Sequence, residues 1–104
     1  MIIRLWTALT SEEDQHKYYE HFRAHVVPVL QGLDGYEGAS LNSRRTDSGI
    51  EILVMTRWRS FEAIRAFAGD DIEQAVVAEE AARVLKNWDR RVKHFEVIID
   101  DMAG

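Results

Sequence analysis

The sequence predicts an α+β domain with its elements in the order β-α-β-β-α-β. Three observations predict it. Residues 50–58, IEILVMTRW, read as a strand that is apolar on both faces rather than alternating. A helix-period apolar stripe lies on either side of that strand, each behind a capping sequence. Between the second and third strand-like runs, TDSG at 46–49 has the composition of a hairpin turn.

The elements follow in order. IIRLWTAL, residues 2–9, is the first strand, with Ile3, Leu5, Thr7 and Leu9 on one face and Ile2, Arg4, Trp6 and Ala8 on the other. TSEED at 10–14 offers two capping boxes, Thr10 with Glu13 or Ser11 with Asp14, and its acidic residues suit a helix N-terminus. The helix that follows carries Tyr18, Tyr19, Phe22, Val26, Val29 and Leu30 at spacings of three and four. Pro28, the only proline, lacks an N–H and disfavours helical geometry at Val27, so the helix is expected to kink or loosen there. GLDGYEG at 32–38 stops the helix and turns into a second strand, Tyr36 to Arg45. These glycines lead from a helix to a strand, the reverse of a dinucleotide-binding loop. Ser60 caps a second helix bearing Phe61, Ile64 and Phe67, which Gly69 ends. DDIEQAVVAEEAARVLKNW, 70–88, reads as one or two further helical pieces, and RVKHFEVII, 91–99, as the last strand. Two βαβ halves joined by a hairpin make the ferredoxin-like pattern, an antiparallel sheet with both helices on one face. Residues 1–99 form one domain, and 100–104 a frayed tail.

Composition excludes several functions. The chain has 104 residues, 46% of them hydrophobic and 30% charged, enough for one compact core. Its net charge is −5 and its basic residues are scattered, so nucleic acid is not an expected partner. It has no cysteine, which removes disulfides, thiolate nucleophiles and Cys-based metal sites and fits a cytoplasmic protein. No apolar run approaches a membrane span of roughly 20 residues. The first residues lack the basic-then-apolar layout of a secretion signal.

Two helices cover only one sheet face, yet Leu53 and Met55 lie on the other. Leaving them in water forfeits roughly 1.5–3 kcal/mol each. A second copy packed sheet to sheet is the economical cover, so a homodimer through the sheet face is expected. The competing possibility is that Arg57, Lys93 and Glu51 lie over that face.

RLWTALT, PVLQGLDGYEGA, MTRWRSFEAIRAFAGDDIEQAVV and RVKHFEV together resemble the antibiotic biosynthesis monooxygenase (ABM) family, over about residues 2–98. W-x-S-x-E-A-I-R-x-F-A-G-D-D, Trp58 to Asp71, is the most specific part. The resemblance implies a dimeric α/β barrel built from ferredoxin-like protomers. It also implies cofactor-independent oxygenation of an aromatic or polyketide-type substrate, haem degradation, or neither. Haem-degrading members carry an iron-ligating histidine on the helix after the tryptophan strand; the stretch after Trp58 here, SFEAIRAFAGDDIEQAVVAEEAARVL, has none. No cofactor and no metal are therefore expected.

Oxygenation without a cofactor needs a water-poor apolar cavity, a proton acceptor, and donors for the substrate anion. His94, set among Val92, Phe95 and Val97, is the candidate base; its default role is structural. Trp6 and Trp58 offer flat walls and indole N–H donors, with core packing as the default. Arg4 shares Trp6's face: if that face looks into a cavity, Arg4 holds an anionic oxygen, and otherwise it is a surface or interface charge. Phe22, Phe67 and Tyr18 are candidate substrate-lining residues, the last with a hydroxyl to donate. His21 and His25 lie four apart on the first helix, but HFRAH is not the HExxH pattern and no third ligand is evident, so they read as a solvated face rather than a metal site. The rival functions are a non-catalytic dimeric module that binds a small apolar or aromatic ligand, or stabilises a partner, and a scavenger of reactive quinones or aldehydes.

Overall fold

The computed structural model describes residues 1–102 and has the expected order of elements. β1 (Ile2–Thr10) and β3 (Gly49–Trp58) pair antiparallel along their full lengths, Ile2 opposite Trp58 and Thr10 opposite Ile50. β2 (Tyr36–Thr46) borders the far side of β3, with a bulge between Tyr36 and Gly38. β4 (Asn87–Trp88) and β5 (Lys93–Glu96) lie in succession along the far side of β1. The sheet is thus antiparallel in the order β2-β3-β1-β4, with β5 also on β1, which is the ferredoxin-like arrangement.

The first helical run has three parts: α1 (Gln15–His21), a π-helical turn (Phe22–Val26) and α2 (Val27–Gln31). Pro28 has no N–H to give the preceding turn, and the loosening it demands sits just before it: the Val27 N–H reaches back to the Phe22 carbonyl. At the start of the run only half of a capping box forms, the Asp14 N–H donating to Ser11 Oγ at 3.0 Å. Thr10 instead donates its hydroxyl to the Val84 carbonyl. α3 (Phe61–Ala68) begins as expected, with Ser60 Oγ accepting from the Ala63 N–H at 3.3 Å, and ends at Gly69, whose φ of 84° suits glycine. In the β2–β3 hairpin Gly49 is required: a Cβ there would stand 2.5 Å from the Thr10 carbonyl oxygen, at a φ of 135°.

Inward residues of β1 and β3 meet the helices. One cluster joins Ile2, Leu30, Trp58, Ala63 and Ile64; a second joins Ala8, Tyr18, Phe22, Ile52, Val54, Ala81 and Leu85. The outward residues Ile3, Leu5, Leu9, Leu53 and Met55 are half-buried within one chain.

One expectation is narrowed and one is corrected. Of residues 70–88 only α4 (Glu79–Ala82) is helical. The preceding loop directs its backbone to the segment before β5 instead: Ala75 N–H to Arg90 O at 2.9 Å, Val92 N–H to Glu73 O at 2.7 Å, and a bridge between Gln74 and Arg91. The last strand is Lys93–Glu96, shorter than 91–99. β1 begins at Ile2, opposite Glu96, so the chain beyond has no strand to pair with, and Ile98 and Ile99 stand 83% and 85% exposed. Of the tail, Asp100–Met102 form no regular element, and 103–104 lie outside the described residues. Among the described residues no helix is long and apolar enough to cross a membrane.

Candidate functional site

A cavity of about 450 Å³ lies between the inward face of β1 and β3, the first helical run, and the loop that follows α3. The period of two on β1 and β3 brings Arg4, Trp6, Val54 and Thr56 to its floor. The helical period places Tyr18, His21, Phe22 and His25 on one wall, and α3 contributes Phe67. Val76, Val77, Ala78 and Glu80 close it from the loop and α4. Five of the seven residues expected at a site are therefore gathered here: Arg4, Trp6, Tyr18, Phe22 and Phe67. His94 and Trp58 are not on the wall.

Arg4 is the unusual feature. It is 4% exposed, and among the described residues no carboxylate pairs with it. Its guanidinium donates to the Ile72 carbonyl, to the Gln74 carbonyl at 2.8 Å, and to His94 Nε2 at 3.0 Å, and lies 5.7 Å from the centre of the Phe67 ring. Burial pulls its pKa down to about 10, so it is still a cation at neutral pH. An isolated buried charge costs several kcal/mol, and two carbonyl dipoles and an imidazole offset only part of that. The same contacts pin the loop over the cavity, assisted by the two-pronged Arg91–Asp71 pair at 2.6 and 3.1 Å.

His94 stands opposite Arg4 in the β1–β5 register, behind its guanidinium, with the Phe61 ring 5.9 Å away. Burial first, and the Arg4 charge second, hold its pKa below the ordinary value of 6.5, while Glu73 acts the other way. A neutral His94 whose Nε2 accepts from Arg4 carries its own proton on Nδ1. Because the unfolded chain protonates His94 at higher pH than the folded one does, stability is expected to fall as pH drops below 6.5 and to level off below the folded pKa. His21, also depressed by burial, adds to the same slope. Thermal melts across that range check this: His94→Gln should flatten the acid-side decline.

The two tryptophans differ from expectation in the use of their N–H groups. Trp6 donates to the Asp89 carbonyl at 2.8 Å, and Trp58 to Thr56 Oγ1 at 2.8 Å. Trp6 thus presents an apolar ring to the cavity, 6.2 Å from that of Tyr18. Trp58, fully buried, packs against Tyr36 and Phe67 at 5.6 and 5.8 Å and supports the floor through Thr56. Burial raises the Tyr18 phenol well above its ordinary range, so it stays protonated.

Residues absent from the expected set also line the cavity. Thr56 shares the face of Val54 and Trp58, which strand alternation allows one to read. His21 and His25 share a helical face with Tyr18 at spacings of three and seven, so they belong to the cavity wall rather than to a wholly solvated surface. The loop residues Val76–Ala78 carry no periodic signal. Among the described residues no group of three or more His, Asp or Glu side chains could hold a metal ion.

No family model and no curated protein matches the chain. Solved structures share its fold. A candidate antibiotic biosynthesis monooxygenase from Bacillus cereus superposes with a TM-score of 0.71 at 20% identity, over 100% of this chain and 97% of the other. The heme degrader MhuD of Mycobacterium tuberculosis, solved with two hemes in its active site, gives 0.63 at 21% identity, over 98% and 100% of the two chains. The monooxygenase ActVA-Orf6 of Streptomyces coelicolor, solved with the ligand nanaomycin D, gives 0.63 at 17% identity, over 99% and 91%. The chain therefore has the fold of antibiotic biosynthesis monooxygenase proteins over its whole length, as its motifs suggest.

Proposed function

We propose that this chain is a cofactor-independent monooxygenase-like enzyme for a small aromatic or polyketide-type substrate, which it binds as an anion. Arg4 carries this reading: a buried cation without a carboxylate partner, on the floor of an aromatic-walled cavity. In water a phenolate needs no protein to stabilise it; in an apolar cavity it does, and a guanidinium fixed by two carbonyls is arranged in advance for the task.

The reaction asks little else of the protein. An anthrone-type substrate loses a proton and becomes an electron-rich anion. The anion donates electrons to dioxygen, a C–O bond forms, and the resulting hydroperoxide loses water. One methylene and one O2 give one carbonyl and one H2O, so the substrate supplies every electron. Trp6, Phe22 and Phe67 sandwich the ring and exclude water, and Tyr18 offers a hydroxyl to the oxygen being reduced. His94 orients Arg4 by accepting its N–H, a positioning role in place of the base role expected from sequence. Trp58 acts through Thr56 and Phe67.

Oxygen uptake with a panel of anthrones and hydroquinones tests this. One carbonyl formed per O2 consumed is expected, without added metal or flavin. Binding of these compounds with no oxygen consumed would favour the rival reading, a non-catalytic ligand-binding module. A shifted haem absorption band on titration with haemin, lost in His21→Gln, would point instead to haem ligation from α1.

The homodimer belongs to the same proposal. Besides the half-buried outward face, Phe95, Ile98, Ile99 and Met102 are exposed at one end of the chain. Light scattering is expected to give a particle of twice 12.0 kDa, and Leu53→Glu on the outward face to give the single chain. A wild-type particle of one chain at micromolar concentration would contradict the pairing.

A further inference from the structure

We infer that His21, on the cavity wall, is the proton acceptor for the bound substrate, and that His25 and Glu80 pass the proton to water. The inference rests on the proposed function and supplies the base which that chemistry needs. His94 is poorly placed for this task, because its Nε2 is taken by Arg4 at 3.0 Å and it does not line the cavity. His21 does line it, half-buried, from the last position of α1.

Its neighbours make a path from inside to outside. The His21 ring lies 6.2 Å from that of Tyr18, a buried cavity residue, and 5.5 Å from that of His25, which is exposed. Glu80 belongs to α4, which packs against α1, and is also exposed while lining the same cavity. Among the described residues these groups and Arg4 on the floor are the titratable side chains that line the cavity with His21. Burial and then the His25 ring hold its pKa below 6.5, and Glu80 opposes them. At neutral pH His21 is thus an uncharged imidazole with a lone pair to offer.

The step balances simply. The substrate O–H or C–H bond breaks, its electron pair stays on the substrate facing Arg4, and the proton forms an N–H bond on His21. The imidazolium faces the Glu80 carboxylate, which stabilises it, and the His25 ring, through which or through Glu80 the proton reaches solvent. The positive charge on His21 exists only while substrate is ionised, so the site avoids a second standing cation beside Arg4.

The test uses the full chain and a nitrophenol, whose anion is coloured, as a probe that does not react with oxygen. Imidazole NMR at neutral pH should show His21 become protonated as the phenolate band appears. His21→Gln should bind the preformed phenolate within about threefold of wild type yet lose anthrone oxygenation by about 100-fold or more, with the loss shrinking as pH rises and the substrate ionises unaided. His25→Gln should keep the protonation of His21 on binding, slow oxygenation by removing one exit for the proton, and move the acid limb of the pH profile. If His21 stays neutral beside bound phenolate, or if His21→Gln keeps the wild-type rate and profile, the inference is overturned. If wild type protonates His21 on binding the nitrophenol but consumes no oxygen with any anthrone, the oxygenase reading fails while the proton acceptor stands.

Discussion

Replacing Arg4 by Met is expected to weaken binding of an anionic aromatic by about 100-fold while a neutral aromatic of the same shape loses only a few-fold. The size follows from the cost of removing one member of a buried charge pair, about 2–5 kcal/mol. Methionine keeps most of the stem's volume and its packing on Phe67, so the cavity is not simply emptied. The Ile72 and Gln74 carbonyls lose their donor, which is expected to loosen the loop over the cavity and raise its amide exchange. Calorimetric titration of both ligands into both proteins checks this. An equal loss for the two would mean that Arg4 holds the loop and not the ligand.

Trp58→Ala should be among the most destabilising single changes in the chain, by about 3–5 kcal/mol. Trp58 is fully buried where β3 meets α2 and α3, among Ile2, Leu30, Ala63 and Ile64, with Tyr36 and Phe67 against its ring. Its removal also leaves the buried Thr56 hydroxyl without its indole donor. Trp58→Phe keeps an aromatic ring against Tyr36 and Phe67, but it loses that bond, worth about 1 kcal/mol, and adds the cost of a smaller cavity where the indole was larger. Urea midpoints order wild type, Phe and Ala. If the account of the floor is right, ligand affinity survives in the Phe variant and falls with Ala, because Thr56 and Phe67 line the cavity and lean on this residue.

The parts of the fold that local chemistry sets are the parts the sequence displays. Ser60 and Gly69 bound α3 where a cap and a left-handed stop should, and Pro28 marks the π-helical turn before it. Residues 70–92 were opaque because long-range contacts set them: Arg4 holds the Ile72 and Gln74 carbonyls, and residues 73–75 bond to 90–92. No window of sequence contains both sides of those bonds. The same limit applied to the site. Trp6 and Arg4 share a face in any reading of β1, but β3 is apolar on both sides, so which face meets the helices is decided only by packing. That choice turned Arg4 from a possible surface charge into the floor of the cavity. It also left His94 behind Arg4, and the indole donors of Trp6 and Trp58 already engaged. His21 and His25 were readable as a pair on one helical face; what that face covered was not.

The central claim is that a fixed buried cation in an aromatic cavity selects an aromatic anion. A nitrophenol and its methyl ether, titrated into the wild-type protein at a pH where the phenol is ionised, test it most directly. The phenolate is expected to bind at least about tenfold tighter than the ether, the advantage of a charge-assisted contact in a dry site. Equal affinity for the two, or tighter binding of the ether, would contradict it.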